Sequence, residues 1–138
     1  VTKASELALE KGARRAIPLN TSGPFHTELL ASASNELKEK FVSVNFNEMQ
    51  VPVIFNSSAK ELESGVSIAQ MLEKQVMSSV YFEDSIRYML ENGVDTIIEI
   101  GPGKVLSGFI RKIDKTIKTY QVEDQASLEK TLAGLKGE

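Results

Sequence analysis

The segment 96–113 constrains the fold more than any other part of the chain. It opens with TIIEI, a short and mostly apolar run typical of a strand buried in a parallel sheet. The turn GPG at residues 101–103 ends that strand, and a helical repeat of apolar residues follows. A strand that leads through a tight turn into an amphipathic helix favours an α/β fold with parallel strands. The helical residues expected to be buried are Val105, Leu106, Phe109, Ile110 and Ile113.

The rest of the chain also alternates strands and helices, and its 138 residues are enough for one compact domain. Ser67 is followed three residues later by Gln70, which predicts a capping box at the start of a helix. Further helices are predicted over residues 2–11, 28–41, 84–92 and 127–135, and further strands over 15–19, 51–55 and 118–122. The 28–41 helix is expected to bury Leu29, Ala33, Leu37 and Phe41.

A domain boundary is expected near residue 20, because Gly23 and Pro24 separate the first helix and strand from everything that follows. Residues 1–20 are too few to bury a core of their own, so they are expected to be the tail of a larger unit. Residues 21–138 would form the main body. Since the chain begins with Val1 rather than with methionine, a fragment or a processed product is expected.

The composition narrows the possible functions. The chain has 16 Lys and Arg against 19 Asp and Glu, a net charge of -3, which argues against a dedicated nucleic-acid binder. It has no cysteine, which excludes a disulfide framework, a thiolate metal site and a cysteine nucleophile. No apolar run is long enough to cross a bilayer, and the N-terminus lacks the apolar core of a signal peptide. A cytoplasmic protein without a membrane partner is expected.

His26, the only histidine, lies where a turn ends and a helix begins. The loops at the carboxyl ends of parallel strands are where α/β proteins bind ligands, and a histidine there can act as a general base. From position alone, however, a surface or helix-capping histidine is the more common case. Gln75 lies on the apolar stripe of its helix, seven residues after Ile68. It either helps to orient the histidine, as the third member of a triad does, or is a partly exposed residue at a fraying helix end.

Several other polar residues also have an ordinary and a functional interpretation. Asn56 follows a predicted strand and can line a pocket or simply form a turn. The GPG turn resembles a phosphate-binding loop but lacks the longer glycine fingerprint, so a tight turn is favoured. Glu99 lies inside the apolar strand and requires a partner that the pattern does not identify.

Two basic pairs can dock an acidic partner or can be ordinary solvated charges. One pair is Arg14 and Arg15, and the other is Arg111 and Lys112.

At residues 23–27 the sequence GPFHT resembles the motif around the catalytic histidine of malonyl-CoA:acyl carrier protein transacylases. The resemblance continues through VPVIFNS at residues 51–57, Gln75, and EIGPGKVL at residues 99–106. It therefore covers nearly the whole chain in order. GPFHT and EIGPGKVL together make the resemblance specific.

The resemblance implies the C-terminal part of an α/β-hydrolase-like large subdomain, here residues 21–138. Residues 1–20 would be the end of a ferredoxin-like small subdomain inserted in it. The implied reaction is ping-pong transfer of malonyl from malonyl-CoA to the phosphopantetheine thiol of acyl carrier protein in fatty acid biosynthesis. No cofactor and no metal are implied.

The resemblance also implies roles for individual residues. His26 would activate the serine nucleophile and protonate the leaving thiol, and the main-chain carbonyl of Gln75 would lie within hydrogen-bond distance of a ring nitrogen. Phe25 would lie beside C2 of the acyl group, and Asn56 would contact the substrate. The two basic pairs would flank the cleft between the subdomains and dock the acidic carrier protein.

The family's GxSxG serine elbow, its malonyl-binding arginine and its oxyanion loop have no counterpart in this sequence. The resemblance implies that they precede Val1, so the chain alone is expected to be inactive and the N-terminal portion of the same enzyme is an expected partner. Two alternatives stay open. The chain can be part of an acyltransferase domain from a modular polyketide synthase, or it can be a non-catalytic module that binds carrier proteins.

Overall fold

The computed structural model describes residues 1–137, which form a mixed fold of helices around a small parallel sheet. This agrees with the predicted α/β class. The elements in chain order are α1 Thr2–Glu10, a short 3-10 helix Glu28–Leu30, α2 Ala31–Phe41, α3 Ile68–Met77, α4 Phe82–Glu91, β1 Thr96–Ile100, α5 Val105–Ile113, β2 Lys118–Val122 and α6 Gln125–Lys136.

The sheet forms because β1 and β2 are joined by a helical crossover, α5, which allows them to run parallel. Their register runs from Thr96 opposite Lys118 to Ile100 opposite Val122. Helix α6 returns onto β2, where the Tyr120 hydroxyl donates to the carbonyl of Gly134 at 3.0 Å. The strands predicted at residues 96–100 and 118–122 are present, and they run parallel as the predicted fold class requires.

The predicted strands at residues 15–19 and 51–55 are wrong for the described chain. Residues 15–19 have no regular structure, and in the second segment only Phe55 forms an isolated bridge, with Lys60. A strand exists only through its hydrogen-bonded neighbours, and Pro18 and Pro52 each remove one donor from an already short segment. Neither segment has a neighbouring strand among residues 1–137.

The main core cluster lies between α4, α5 and the sheet. Its buried members are Ile86, Ile110 and Ile117. Three residues of α5 that were predicted to be buried are instead exposed, namely Val105 at 63%, Leu106 at 45% and Phe109 at 47%. The helix contacts the rest of the chain through the face that carries Ser107 and Ile110, so its other apolar face is not covered by residues 1–137.

Helices α2 and α3 pack side by side and form a second, smaller unit. The apolar stripe predicted for α2 is partly wrong, because Leu29 is 78% exposed while Ser34 is fully buried. A helix turns 100° per residue, so a strict spacing of four drifts off the contact face. The side chains on the contact face follow the spacing Leu30, Ser34, Leu37 and Phe41.

Helix α1 has no buried residue, and residues 13–22 that follow it form no helix or strand. The domain boundary expected near residue 20 stays a prediction. Among residues 1–137, no helix has the length and apolar character needed to span a bilayer.

Candidate active site

His26 lies in a tight turn between residues 23 and 27. The Thr27 hydroxyl donates to the Pro24 carbonyl at 2.7 Å and closes the turn. His26 itself has a φ of 62°, in the left-handed region that residues other than glycine rarely adopt. Such a conformation costs about 1–3 kcal/mol and is concentrated at functional sites. The turn therefore holds the imidazole in a position that a relaxed backbone would not give it.

The ring of His26 contacts the last turn of α3. Its Nδ1 lies 3.2 Å from the main-chain oxygen of Gln75, which confirms the contact expected from the resemblance. A carbonyl oxygen can only accept, so this hydrogen bond requires the proton on Nδ1 and leaves the lone pair on Nε2. The neutral ring is then a base at Nε2.

The Gln75 carbonyl is available because it belongs to the end of a helix. The last four carbonyls of an α-helix lack intrahelical partners and carry the negative end of the helix dipole. The Gln75 oxygen accepts from the Ser78 amide at 3.3 Å and from the His26 ring. This acceptor can therefore stabilise a ring that gains positive charge during proton transfer.

Phe25, His26 and Gln75 line one open groove of about 360 Å³. Its walls are apolar side chains from the helix pair and the 3-10 helix, Leu30, Leu37, Phe41, Leu72 and Val76. A mostly apolar cleft with a few polar groups is the usual form of a small-molecule site. The sequence predicted Leu37 and Phe41 as buried residues of their helix but gave no sign that they line a groove.

Gly23 and Asn56 differ in their relation to this site. A Cβ on Gly23 would lie 3.3 Å from the Phe25 ring, so the glycine leaves room for the aromatic side chain. Asn56 does not line the groove, and its main-chain oxygen accepts from the Tyr81 amide at 2.9 Å. The expected substrate contact of Asn56 therefore has no support from the described residues.

The GPG turn is held by side chains from the neighbouring strand and the residue after it. Gly101 accepts from the Gln121 side chain at 3.0 Å, and the Gly103 amide donates to the Glu123 carboxylate at 2.9 Å. Because a carboxylate already occupies an amide that a phosphate would need, the tight-turn interpretation is the better one.

Glu99 has the partner that the sequence did not identify. Its carboxylate accepts from the Ser107 hydroxyl at 2.6 Å, the Ser107 amide at 2.8 Å and the Leu106 amide at 3.1 Å. It thereby caps the first turn of α5. The Ser107 hydroxyl, followed by the Ser107 amide, lowers the pKa of this carboxyl group.

The four basic residues singled out from the sequence are exposed but occupy different settings. Arg14 and Arg15 lie in the irregular segment after α1. On α5, the Arg111 Nε donates to the Thr119 hydroxyl at 3.1 Å, while the Lys112 ammonium lies 5.8 Å from the centre of the Phe109 ring.

Arg111 lines a cleft between α5, β2 and α6 that also contains Lys104 and Lys130. In the described part of the chain, none of these three cations forms an ion pair. The same residues, 1–137, contain no cluster of three histidine or acidic side chains suited to a metal ion.

Comparison with known proteins identifies the relatives of the chain. No family model matches it. The malonyl CoA-acyl carrier protein transacylase of Bacillus subtilis is 46% identical over all 138 residues, which are 44% of that protein. The crystal structure of the same enzyme from Clostridium perfringens superposes with a TM-score of 0.90 at 41% identity, over 99% of this chain and 43% of that one. This chain is therefore similar to one portion of malonyl CoA-acyl carrier protein transacylases.

A second similar structure is a malonyl-transacylase in complex with a type II polyketide synthase acyl-carrier protein. It aligns with 99% of this chain and 43% of its own at 31% identity and a TM-score of 0.85. The chain thus spans less than half the length of the transacylases that it matches.

Proposed function

We propose that this chain is the C-terminal part of an enzyme that transfers malonyl from malonyl-CoA to the phosphopantetheine thiol of acyl carrier protein in fatty acid biosynthesis. The observation that carries the proposal is the 3.2 Å hydrogen bond between His26 Nδ1 and the Gln75 carbonyl. It leaves a basic Nε2 beside an open groove, in a segment homologous to such transacylases. The nucleophilic serine would come from a part of the polypeptide outside this chain.

The proton moves through His26 in both halves of the reaction. The imidazole Nε2 takes the proton of the serine hydroxyl as the serine oxygen attacks the thioester carbonyl of malonyl-CoA. The tetrahedral intermediate then collapses, the carbon–sulfur bond breaks, and the imidazolium gives the proton to the departing thiolate. In the second half the carrier-protein thiol loses its proton to Nε2 and attacks the malonyl-serine ester; the ester carbon–oxygen bond then breaks, and the imidazolium returns the proton to the serine oxygen. Gln75 keeps Nδ1 protonated throughout.

Phe25 is proposed to lie beside C2 of the malonyl group, since it directly precedes His26 and lines the same groove. Asn56 stays a proposal from the resemblance alone. We also propose that residues 21–138 complete an α/β-hydrolase-like large subdomain and that residues 1–20 end a ferredoxin-like small subdomain. The absence of buried residues in α1 supports that division. A cytoplasmic location without cofactor is part of the same proposal.

The test of the base is His26→Ala in the complete polypeptide that contains this chain. Loss of a general base costs about 10²–10⁴-fold in rate, so malonyl transfer should fall by at least two orders of magnitude. Glu28→Ala, an exposed change two residues away, is the matched control and should retain the rate. A His26→Ala enzyme that transfers malonyl at a near-normal rate would remove the proposed role.

The basic pairs Arg14 and Arg15, and Arg111 and Lys112, are proposed to dock the acidic carrier protein. Lys104 and Lys130 extend the second pair, because they share a cleft with Arg111. Charge complementarity of this kind mainly raises the association rate and weakens with salt. The cleft that contains Lys104, Arg111 and Lys130 is thus a local positive surface on a chain whose net charge is -3.

Charge reversal of each pair separately tests this docking proposal. Each double reversal should raise the Michaelis constant for carrier protein and leave the first half-reaction with malonyl-CoA nearly intact. The reversal Lys60→Glu, at an exposed residue outside the proposed surface, is the control. Equal damage to both half-reactions would indicate a folding defect, and no damage would mean that the carrier protein docks elsewhere.

A second candidate is an acyltransferase of polyketide synthesis. The similar structure that contains a type II polyketide synthase acyl-carrier protein favours it. The two candidates share the chemistry at His26 and differ in the carrier protein. Rates measured with the fatty acid and the polyketide carrier proteins of the source organism separate them.

A further inference from the structure

Ser34 occupies an unusual position for a polar residue. It lies at the centre of the face of α2 that packs on α3, between Leu30 and Leu37, and none of its surface is exposed. Its hydroxyl donates to the Glu73 carbonyl at 3.0 Å. A buried hydroxyl without a partner is costly, so this bond sets how the two helices can lie against each other.

The bond from Ser34 ends close to the acceptor of the histidine. Glu73 is two residues before Gln75, in the same last turn of α3. His26 lies in the turn that leads through the 3-10 helix into α2. Two hydrogen bonds therefore join the same two segments, one from His26 to Gln75 and one from Ser34 to Glu73.

The other polar contact between these helices is weaker. The Lys38 ammonium lies 3.8 Å from the Glu73 carboxylate, and 68% of the Lys38 side chain is exposed. Exposed ion pairs of this kind contribute little and hold no precise geometry. The Ser34 hydroxyl is thus the buried polar contact that can fix the position of the last turn of α3, along the helix axis, relative to the histidine.

We propose that Ser34 is a positioning residue for the base, because its hydroxyl holds the last turn of α3 where the Gln75 carbonyl can accept from His26. Without this bond, the apolar contacts of the groove still hold the helices together, but they allow the carbonyl to slide. The Nδ1–H form of the ring then loses its preferred acceptor. The proposal rests on the proposed function only for its effect on rate, since the ring geometry can be measured without activity.

The variants are Ser34→Ala and, as a matched control, Ser32→Ala in the complete polypeptide. Both variants remove one hydroxyl from α2 and raise the helix propensity of the chain equally, but Ser32 is exposed. The two ring nitrogens of ¹⁵N-labelled histidine report the tautomer by NMR at about pH 8, where an ordinary histidine is neutral. The signals of His26 are assigned by their loss in a His26→Asn variant.

Ser34→Ala should shift His26 from a predominantly Nδ1–H ring towards a mixture of the two tautomers, and Ser32→Ala should not. Turnover should fall about tenfold with little change in the Michaelis constant for malonyl-CoA, since small misplacements of a reacting group cost up to about 10²-fold. If Ser34→Ala does not fold, Ser34→Cys keeps a weak donor on a slightly larger side chain and should give an intermediate tautomer ratio.

An unchanged tautomer ratio in the folded Ser34 variant overturns the proposal, whatever happens to the rate. So does an equal shift in Ser32→Ala. A normal rate in His26→Ala would instead overturn the proposed function while leaving the tautomer result intact, so the two failures are distinguishable.

Discussion

Two glycines inside helices are expected to respond to the same substitution with opposite signs. Gly108 lies in α5, and a Cβ added there would meet no atom of residues 1–137 within 4 Å. Gly134 lies in α6, and its added Cβ would lie 2.6 Å from Cε1 and 3.1 Å from the hydroxyl oxygen of Tyr120. Neither glycine has a positive φ, so alanine can adopt both backbones.

The magnitudes follow from these distances. Alanine is favoured over glycine in a helix by ~1 kcal/mol, so Gly108→Ala should raise the free energy of unfolding by about that amount. At Gly134 the same gain is opposed by overpacking, which costs roughly 1–3 kcal/mol. The Tyr120 ring cannot easily move away, because its hydroxyl is bonded to the Gly134 carbonyl at 3.0 Å. Gly134→Ala should therefore be destabilising by up to ~2 kcal/mol.

Thermal unfolding of the complete polypeptide measures both effects. A change of about 1 kcal/mol moves the midpoint by about 2–4 °C in a domain of 150–250 residues. The Tyr120→Ala background is the internal check, since without the ring Gly134→Ala should become stabilising. If Gly134→Ala raises the midpoint as much as Gly108→Ala does, the packing argument is wrong.

The remaining predictions concern the site and the chain as a whole. Gln75→Ala should reduce malonyl transfer far less than His26→Ala, because the main-chain carbonyl survives; equal losses measured in parallel assays would contradict this. Phe25→Ser should raise the relative rate with methylmalonyl-CoA by about 10–200-fold at most, as the ratio of the two kcat/KM values reports. Because Ser107 lowers the pKa of Glu99, that carboxylate stabilises the fold above its unfolded pKa and loses this effect as the pH falls through the lowered value. Glu99→Gln should flatten the acid side of a plot of midpoint against pH. The isolated 138-residue chain should unfold without a sharp transition or self-associate, and a cooperative monomer in ultracentrifugation and calorimetry would contradict this.

Local features of the fold could be predicted from the sequence because their causes are local. Ser67 and Gln70 form the predicted capping box, with bonds of 3.2 Å and 2.8 Å. The helix predicted at residues 84–92 is present as α4, and it buries Ile86. In both cases the residues that decide the outcome lie within one or two helical turns of each other.

The contacts that define the site are not local in this sense. His26 and Gln75 are 49 residues apart, and from position alone their pairing was one of two open interpretations until the resemblance favoured it. The burial of Ser34 could not be predicted, because a serine within a helical pattern is taken as solvent-facing until a partner such as the Glu73 carbonyl is known. The partner of Glu99 was missed for the same reason, since it exists only after α5 has folded back onto its strand.

The wrong strand predictions and the exposed apolar residues of α5 share one physical cause. Apolar periodicity indicates which positions are buried in the complete fold. The exposure of a side chain here, in contrast, depends only on which atoms of residues 1–137 cover it. Ile100 is 82% exposed at the end of a strand whose pattern is that of a sheet interior, and Val105 is 63% exposed on the helix that follows. Soluble proteins rarely leave contiguous apolar patches of this kind uncovered. Together with segments 15–19 and 51–55, which form no strand among residues 1–137, these side chains are what an α/β sheet with further strands and helices would bury. The sequence pattern therefore indicates a larger fold than the described residues form by themselves.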